Sequence, residues 1–135
     1  MTIERVRTDS PLEAAIGFAR AVAAGDRVLV AGTMPVVDDI VQGLGDPYEQ
    51  TKAAFTNALA ALKPFGLGAD AVLRTRMYLT HVRDVDEAGR AHKELFDGAP
   101  PVTTLLVVSG FADPRVLVEV ELEAFRELSE RPEQT

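Results

Sequence analysis

The sequence predicts an α+β fold in two layers, a sheet with helices packed on one face. Three observations carry this. Strand-like and helix-like segments alternate in the order β-β-α-β-α-β-β, which sets helices against a sheet. Only two segments carry a one-sided helical stripe, enough to cover a single sheet face. The longer strand candidates alternate residue by residue, so each has an inner and an outer side. At 135 residues the chain has the size of one domain.

The elements follow in order. Arg20–Ala24 and Arg27–Ala31 are short and β-compatible, with Ala24-Gly25-Asp26 as the turn between them. A further strand before them, at the N-terminus, is compatible with the pattern. Gly32 stands where the chain leaves the sheet or where a ligand approaches the backbone. Met34–Gly45, with Pro35, Asp38, Asp39, Gly43 and Gly45, reads as a loop. Asp46-Pro47 then opens a helix, the carboxylate capping free N–H groups and the proline fitting the first turn. Tyr48, Thr51, Phe55, Leu59 and Leu62 form its inner stripe, and Pro64, Gly66 and Gly68 end it. Ala71–His81 is a strand with Thr75, Met77 and Leu79 on one side and Arg74, Arg76, Tyr78 and Thr80 on the other. Asp84 caps a second helix through Phe96, with Val85, Ala88, Ala91 or His92, Leu95 and Phe96 inward. Gly98–Pro101 breaks it, Val102–Ser109 is β-rich, and Gly110–Pro114 is a turn. Arg115–Phe125 is the last strand: Val116, Val118, Val120 and Leu122 face one way, Glu119, Glu121 and Glu123 the other. Residues 1–125 therefore form the domain, and the polar run 126–135 is a tail expected to fray.

Composition narrows the function. Hydrophobic residues are 47% and charged residues 26%, a globular balance rather than a disordered one. Lys and Arg number 14 against 21 Asp and Glu, a net charge of −7, so a phosphate backbone is a poor partner. Cysteine is absent, which removes disulfides, thiolate metal sites and thiol nucleophiles. The two histidines, His81 and His92, do not form a pair at metal-ligand spacing. No apolar run approaches membrane-spanning length, and no signal-peptide layout opens the chain, so a cytoplasmic location is expected. Neither metal nor cofactor is expected. The outer sheet face, with Arg74, Arg76, Tyr78, Glu119, Glu121 and Glu123, is too polar for a dry core and suits a wet subunit interface or a pocket.

Several ordered fragments resemble the Rid (YjgF) family, formerly labelled L-PSP endoribonuclease. They are Val28–Thr33 at the strand exit, Tyr48–Thr51 through Asn57-Ala-Leu59, and Phe65-Gly66 before Ala71-Val-Leu73. Arg76–Thr80 with Asp84, Pro101 before a strand, and Val118–Glu121 complete the series. The resemblance covers roughly Gly17 to Ala124. It implies a chorismate-mutase-like fold and a homotrimer in which three sheets close a central barrel, helices outside and ligand clefts between subunits. It implies cofactor-free hydrolysis of reactive imines and enamines to a 2-keto acid and ammonia.

The site residues implied by the resemblance include one clear departure. The family's carboxylate-binding arginine, two residues after the proline of the penultimate strand, corresponds to Thr103 here. A neutral hydroxyl replaces a charged fork, so the chain resembles a member lacking the deaminase arginine. The family's tyrosine, serine and asparagine correspond to Phe18, Ala31 and Gly89, and the glutamate of the last strand to Glu121. Glu121 is the catalytic candidate, positioning or deprotonating water; it also reads as one member of a solvated glutamate face or as the partner of Arg76. Thr103, Thr104, Phe18, Ala31, Gly32, Arg76, Gly89 and His92 are the candidate substrate-binding residues. Arg76 stands either for the missing anion-holding group or for an interface salt bridge. Three function classes follow: a hydrolase of an imine, enamine or similar electrophile with non-standard anchoring, a non-catalytic small-ligand-binding or regulatory trimer, and, last, a ribonuclease, which lacks basic and aromatic support here. The expected partners are a small molecule and further copies of the chain.

Overall fold

The computed structural model describes residues 2–128. The strands are β1 (Ile3–Val6), β2 (Ala21–Ala24), β3 (Arg27–Thr33), β4 (Val36–Val37), β5 (Ile40–Val41), β6 (Val72–Leu79), β7 (Val102–Val107) and β8 (Val118–Phe125). The α-helices are α1 (Pro11–Ile16), α2 (Pro47–Ala60) and α3 (Val85–Leu95). Six strands form one mixed sheet in the order β1-β2-β3-β8-β6-β7; only β6 and β7 run parallel, joined by α3 as the crossover. β4 and β5 make a separate small hairpin inside the expected loop, its turn carrying Asp38 and Asp39 at positive φ.

Helices α2 and α3 cover one sheet face, as the stripes predict. Val28, Val30, Met77, Leu79, Val118, Val120 and Leu122 meet Ala54, Phe55, Ala58, Leu62, Ala88 and Phe96 in one buried cluster. Phe55 stands edge-on to His92 and to Phe96, each ring pair 5.4 Å apart. Tyr48 and Leu59, expected inward, are half-buried; Gln50 takes a fully buried place instead. Asp46 caps α2 as expected, accepting the N–H groups of Tyr48 and Glu49 at 3.0 and 3.1 Å. Asp46→Ala is expected to cost about 1 kcal/mol, read as a lower urea midpoint with an unchanged slope.

Besides that hairpin, four features depart from the sequence reading. The last strand starts at Val118, not Arg115, because side chains take the backbone bonds of the preceding stretch. Gln50 Nε2 donates to Arg115 O at 3.0 Å, Leu117 N donates to Gln50 Oε1 at 2.7 Å, and Asp113 holds Arg115 in a tight turn. Asp84 ends a 3-10 turn, and its carboxylate lies 4.0 Å from His81 and from Arg83 instead of capping α3. Helix α1 has no counterpart in the sequence pattern; it is six residues long and closes on Gly17 in the left-handed conformation at φ 89°. Arg126, placed in the tail, is docked: its N–H donates to Asp26 O at 2.9 Å and its guanidinium to Gly25 O and Glu4 at 2.7 Å. The rest of the expected tail, 129–135, lies outside the described residues.

The uncovered sheet face is less polar than expected. Beside its charges it exposes Leu29, Val102, Leu106 and Phe125. Among the described residues no helix is long and apolar enough to cross a membrane.

Candidate functional site

The end of β3 builds the first part of the site. Pairing of β3 with β8 is regular from Arg27 to Val30 and then slips before Thr33 meets Val120. The slip brings Gly32 under the side chain of Glu119, so close that a Cβ there would collide with the carboxylate. Arg20, just before β2, fixes this corner. Its Nη1 donates to Gly32 O at 3.0 Å and to Thr33 Oγ1 at 3.2 Å, and its Nε reaches Glu13 at 3.2 Å. The same guanidinium lies 5.4 Å from the Phe18 ring centroid, and the Ala31 N–H donates to Arg20 O at 3.0 Å. Glu13 is buried; burial opposes its charge, but hydrogen bonds from Thr8 and Arg20 prevail and hold its carboxyl below the usual range.

Glu119 is half-buried. Desolvation pushes its pKa above the ordinary carboxylate value and the neighbouring Glu121 charge adds to that, while Arg20 pulls the other way. Two residues along, Glu121 is already committed. It accepts a hydrogen bond from the Tyr78 hydroxyl, and Arg76 Nη1 lies 3.5 Å away. That bond, burial and the Glu121 charge raise the Tyr78 pKa, so the phenol stays protonated as a donor. Arg76 also reaches Glu123 at 3.2 Å. These pairs are about one-third exposed and contribute little to stability.

A second cluster sits at the other end of the sheet, between α3 and the edge strand β7. Thr75 Oγ1 is 2.8 Å from His92 Nε2 and 2.9 Å from Thr103 Oγ1, and Thr103 Oγ1 is 3.3 Å from the same nitrogen. Thr75 is fully buried, and desolvation lowers the His92 pKa, leaving the ring neutral at pH 7. Gly89 lies one turn earlier on α3, with open space where a side chain would be.

The expected residues therefore separate into groups. Phe18, Ala31 and Gly32 share the first corner; Thr103, His92 and Gly89 share the second; Arg76 and Glu121 lie on the open face between. Thr103 and Thr104 do not line one pocket. Thr103 pairs with Thr75 on the helix side, whereas Thr104 pairs with Arg76 on the open side. This also leaves Arg76 on the opposite face from Thr103. The two corners are three strand spacings apart, on the order of 14 Å. A groove of about 640 Å³ lies beside Arg20 and Thr33, walled by Met34, Val36, Asn57 and Leu12, and none of the expected ligand residues lines it.

Three residues escaped the sequence reading. The sequence reading places Arg20 at the start of a strand, Thr75 on the inner face of another and Glu119 as one glutamate of three, and gives none of them a part in the site. The alternation in β8 puts all three glutamates on one side; which of them meets Gly32 depends on the slip in β3–β8 pairing, which has no local signature. Among the described residues no three His, Asp or Glu side chains gather as a metal site.

Residues 8–126 match the family described as Endoribonuclease L-PSP. An uncharacterized protein of Streptomyces coelicolor is 63% identical over 124 residues, 92% of each chain. The structure resembles a Mycobacterium tuberculosis member of the YjgF/YER057c/UK114 family, with 34% identity, a TM-score of 0.82, and 93% of this chain and 100% of that one covered. It also resembles a Yersinia pestis protein of unknown function from the Rid family at 20% identity and a TM-score of 0.79, covering 93% of this chain and 100% of that one.

Proposed function

The chain belongs to the Rid/YjgF/L-PSP family, and from that premise we propose that it is a cofactor-free hydrolase of a reactive imine, enamine or similar small electrophile, working at clefts between the subunits of a homotrimer. The observation that carries this reading is Glu119: a half-buried carboxylate with a raised pKa, seated on Gly32 at a strand exit. Raised basicity suits a general base working near neutral pH.

The chemistry asks little else. Glu119 takes a proton from water as the water oxygen bonds to the imine carbon and the C=N electron pair moves to nitrogen. The same proton passes to the nitrogen, giving a carbinolamine; Glu119 then takes the carbinolamine hydroxyl proton and hands it to the nitrogen as the C=O bond forms and the C–N electron pair leaves with nitrogen, so that ammonia and a carbonyl product depart. Glu121, the catalytic candidate of the sequence reading, is the companion: it is held by Tyr78 and Arg76, and its proximity raises the basicity of Glu119. The split of the site supports this assembly. The Gly32 and Thr103 corners are too far apart in one chain to hold one small molecule, and a second copy bringing its Thr103 edge to the first copy's Glu119 would unite them. The mixed apolar and charged open face supplies an interface of the wet kind.

The test generates short-lived imines enzymatically from several amino acids and from their amides, and follows carbonyl release with and without the protein. Acceleration that disappears in Glu119→Gln supports the hydrolase, with sedimentation giving three chains. No acceleration for any imine would leave the non-catalytic binder.

A further inference from the structure

We infer that the Thr75–His92–Thr103 cluster is the specificity element of the proposed cleft and that it takes an uncharged group carrying both a donor and an acceptor, a carboxamide or a hydroxyl, in preference to a carboxylate. This rests on the reading of the cleft given above and names its substrate class.

Hydrogen-bond accounting carries the inference. Thr75 is fully buried and spends its single proton inside the triangle. Suppose His92 Nε2 carries hydrogen. It donates to Thr75, Thr75 donates to Thr103, and the Thr103 proton is left to point outward, since its inward alternative, Pro101 O, is a long 3.5 Å away. Suppose instead Nε2 is the bare nitrogen. Thr75 donates to it, Thr103 donates back to Thr75, and the Thr103 lone pairs are left outward. Thr103 is an exposed residue on the edge strand, so its one remaining neutral hydrogen bond, of either sense, is offered to whatever binds there. A carboxamide or hydroxyl answers both states. A carboxylate answers only the first, and meets no positive charge.

The surroundings agree. No Lys or Arg among the described residues is hydrogen-bonded to the three side chains. Arg76 lies on the opposite sheet face, bound to Glu121 and Glu123, and Arg90 is held on the outer side of α3 by Glu87 and Glu94. The ring of His92 is packed against Phe55 and Phe96, with centroids 5.4 and 4.7 Å away, which keeps it neutral and fixed. A chain with net charge −7 adds a field that repels anions.

The experiment uses paired probes on the full chain: 2-oxobutanamide against 2-oxobutanoate for binding, and the imines of an amino amide and its amino acid for turnover. Binding is read by calorimetry and by the ¹⁵N shifts of the His92 ring. The amide is expected to bind at least tenfold more tightly and to move the His92 signals. Thr103→Val should weaken the amide about fivefold to tenfold, the loss of one neutral hydrogen bond, and Thr103→Ser should restore it. Equal or tighter binding of the carboxylate, or undiminished amide binding by Thr103→Val, overturns the inference. Preferential hydrolysis of the amino-acid imine overturns it while leaving the hydrolase standing. Amide binding at Thr103 without turnover of either imine upholds it while the hydrolase falls.

Discussion

Glu119→Gln is expected to lower kcat by about 10²–10⁴-fold, the range spanned by a positioned general base, with no loss of folding stability. The two halves of this expectation have one cause. Glu119 is half-buried and its pKa is raised because burial disfavours its charge. A group whose pKa is higher in the folded chain than in the unfolded one binds protons more readily when folded. Its contribution to stability is therefore present at low pH and lost as pH rises through the folded pKa. Glutamine carries no such charge, so the variant should melt at or above the wild-type temperature at pH 7, and the difference should shrink on acidification. In the wild type, activity should fall as pH drops through a value above the ordinary carboxylate range. Glu121→Gln provides the contrast. Arg76 still has Glu123, and Glu119 keeps its place, so the loss in kcat should stay below about tenfold, with the pH profile moved to lower pH because a neighbouring negative charge is gone. Pre-steady-state rates for both variants across pH 4–9, beside their melting curves, check the whole pattern; equal losses in the two would return the role to Glu121.

That contrast marks where the sequence stops being legible. Alternation is a local property, so the faces of β6 and β8 and the inner stripe of α3 were readable from residue types alone. Asp46-Pro47 was readable too, because a cap is satisfied within its own first turn. Pairings between distant segments were not. Gln50 looks like a polar surface residue of a helix; only the fold shows it filling the hydrogen bonds of Arg115 and Leu117 and so delaying the start of β8. Helix α1 is too short to show a period. The opposite facing of Thr103 and Thr104 is implicit in the two-residue repeat, although the sequence reading lists both as ligand candidates. Family membership and the α+β sheet with two covering helices were legible; that Glu119, and not Glu121, meets Gly32 was not, because it depends on a bulge.

Gly32→Ala tests that bulge directly and has the second largest expected effect: a loss of about 10²-fold in kcat with the fold intact. Gly32 does not occupy the left-handed backbone region, so alanine adopts its conformation without strain. Its Cβ, however, would strike the Glu119 carboxylate, whose carboxyl carbon lies 3.3 Å from that position. The group in the way is the end of a flexible side chain, so Glu119 swings aside while β3, β8 and the bond from Arg20 to Gly32 O stay in place. Replacing glycine also lowers the entropy of the unfolded chain, worth about 0.4–1 kcal/mol in favour of folding. The melting temperature should thus hold or rise while catalysis falls, since moving a base by about 1 Å is enough to cost on the order of 10²-fold. Shortening the displaced side chain separates this cause from any other. In Gly32→Ala combined with Glu119→Asp, the carboxylate withdraws from the new methyl group, and part of the lost kcat should return, although Glu119→Asp alone should be slower than the wild type. A double variant slower than both single ones would place the working carboxylate elsewhere, because recovery of this kind requires the alanine and Glu119 to compete for the same space.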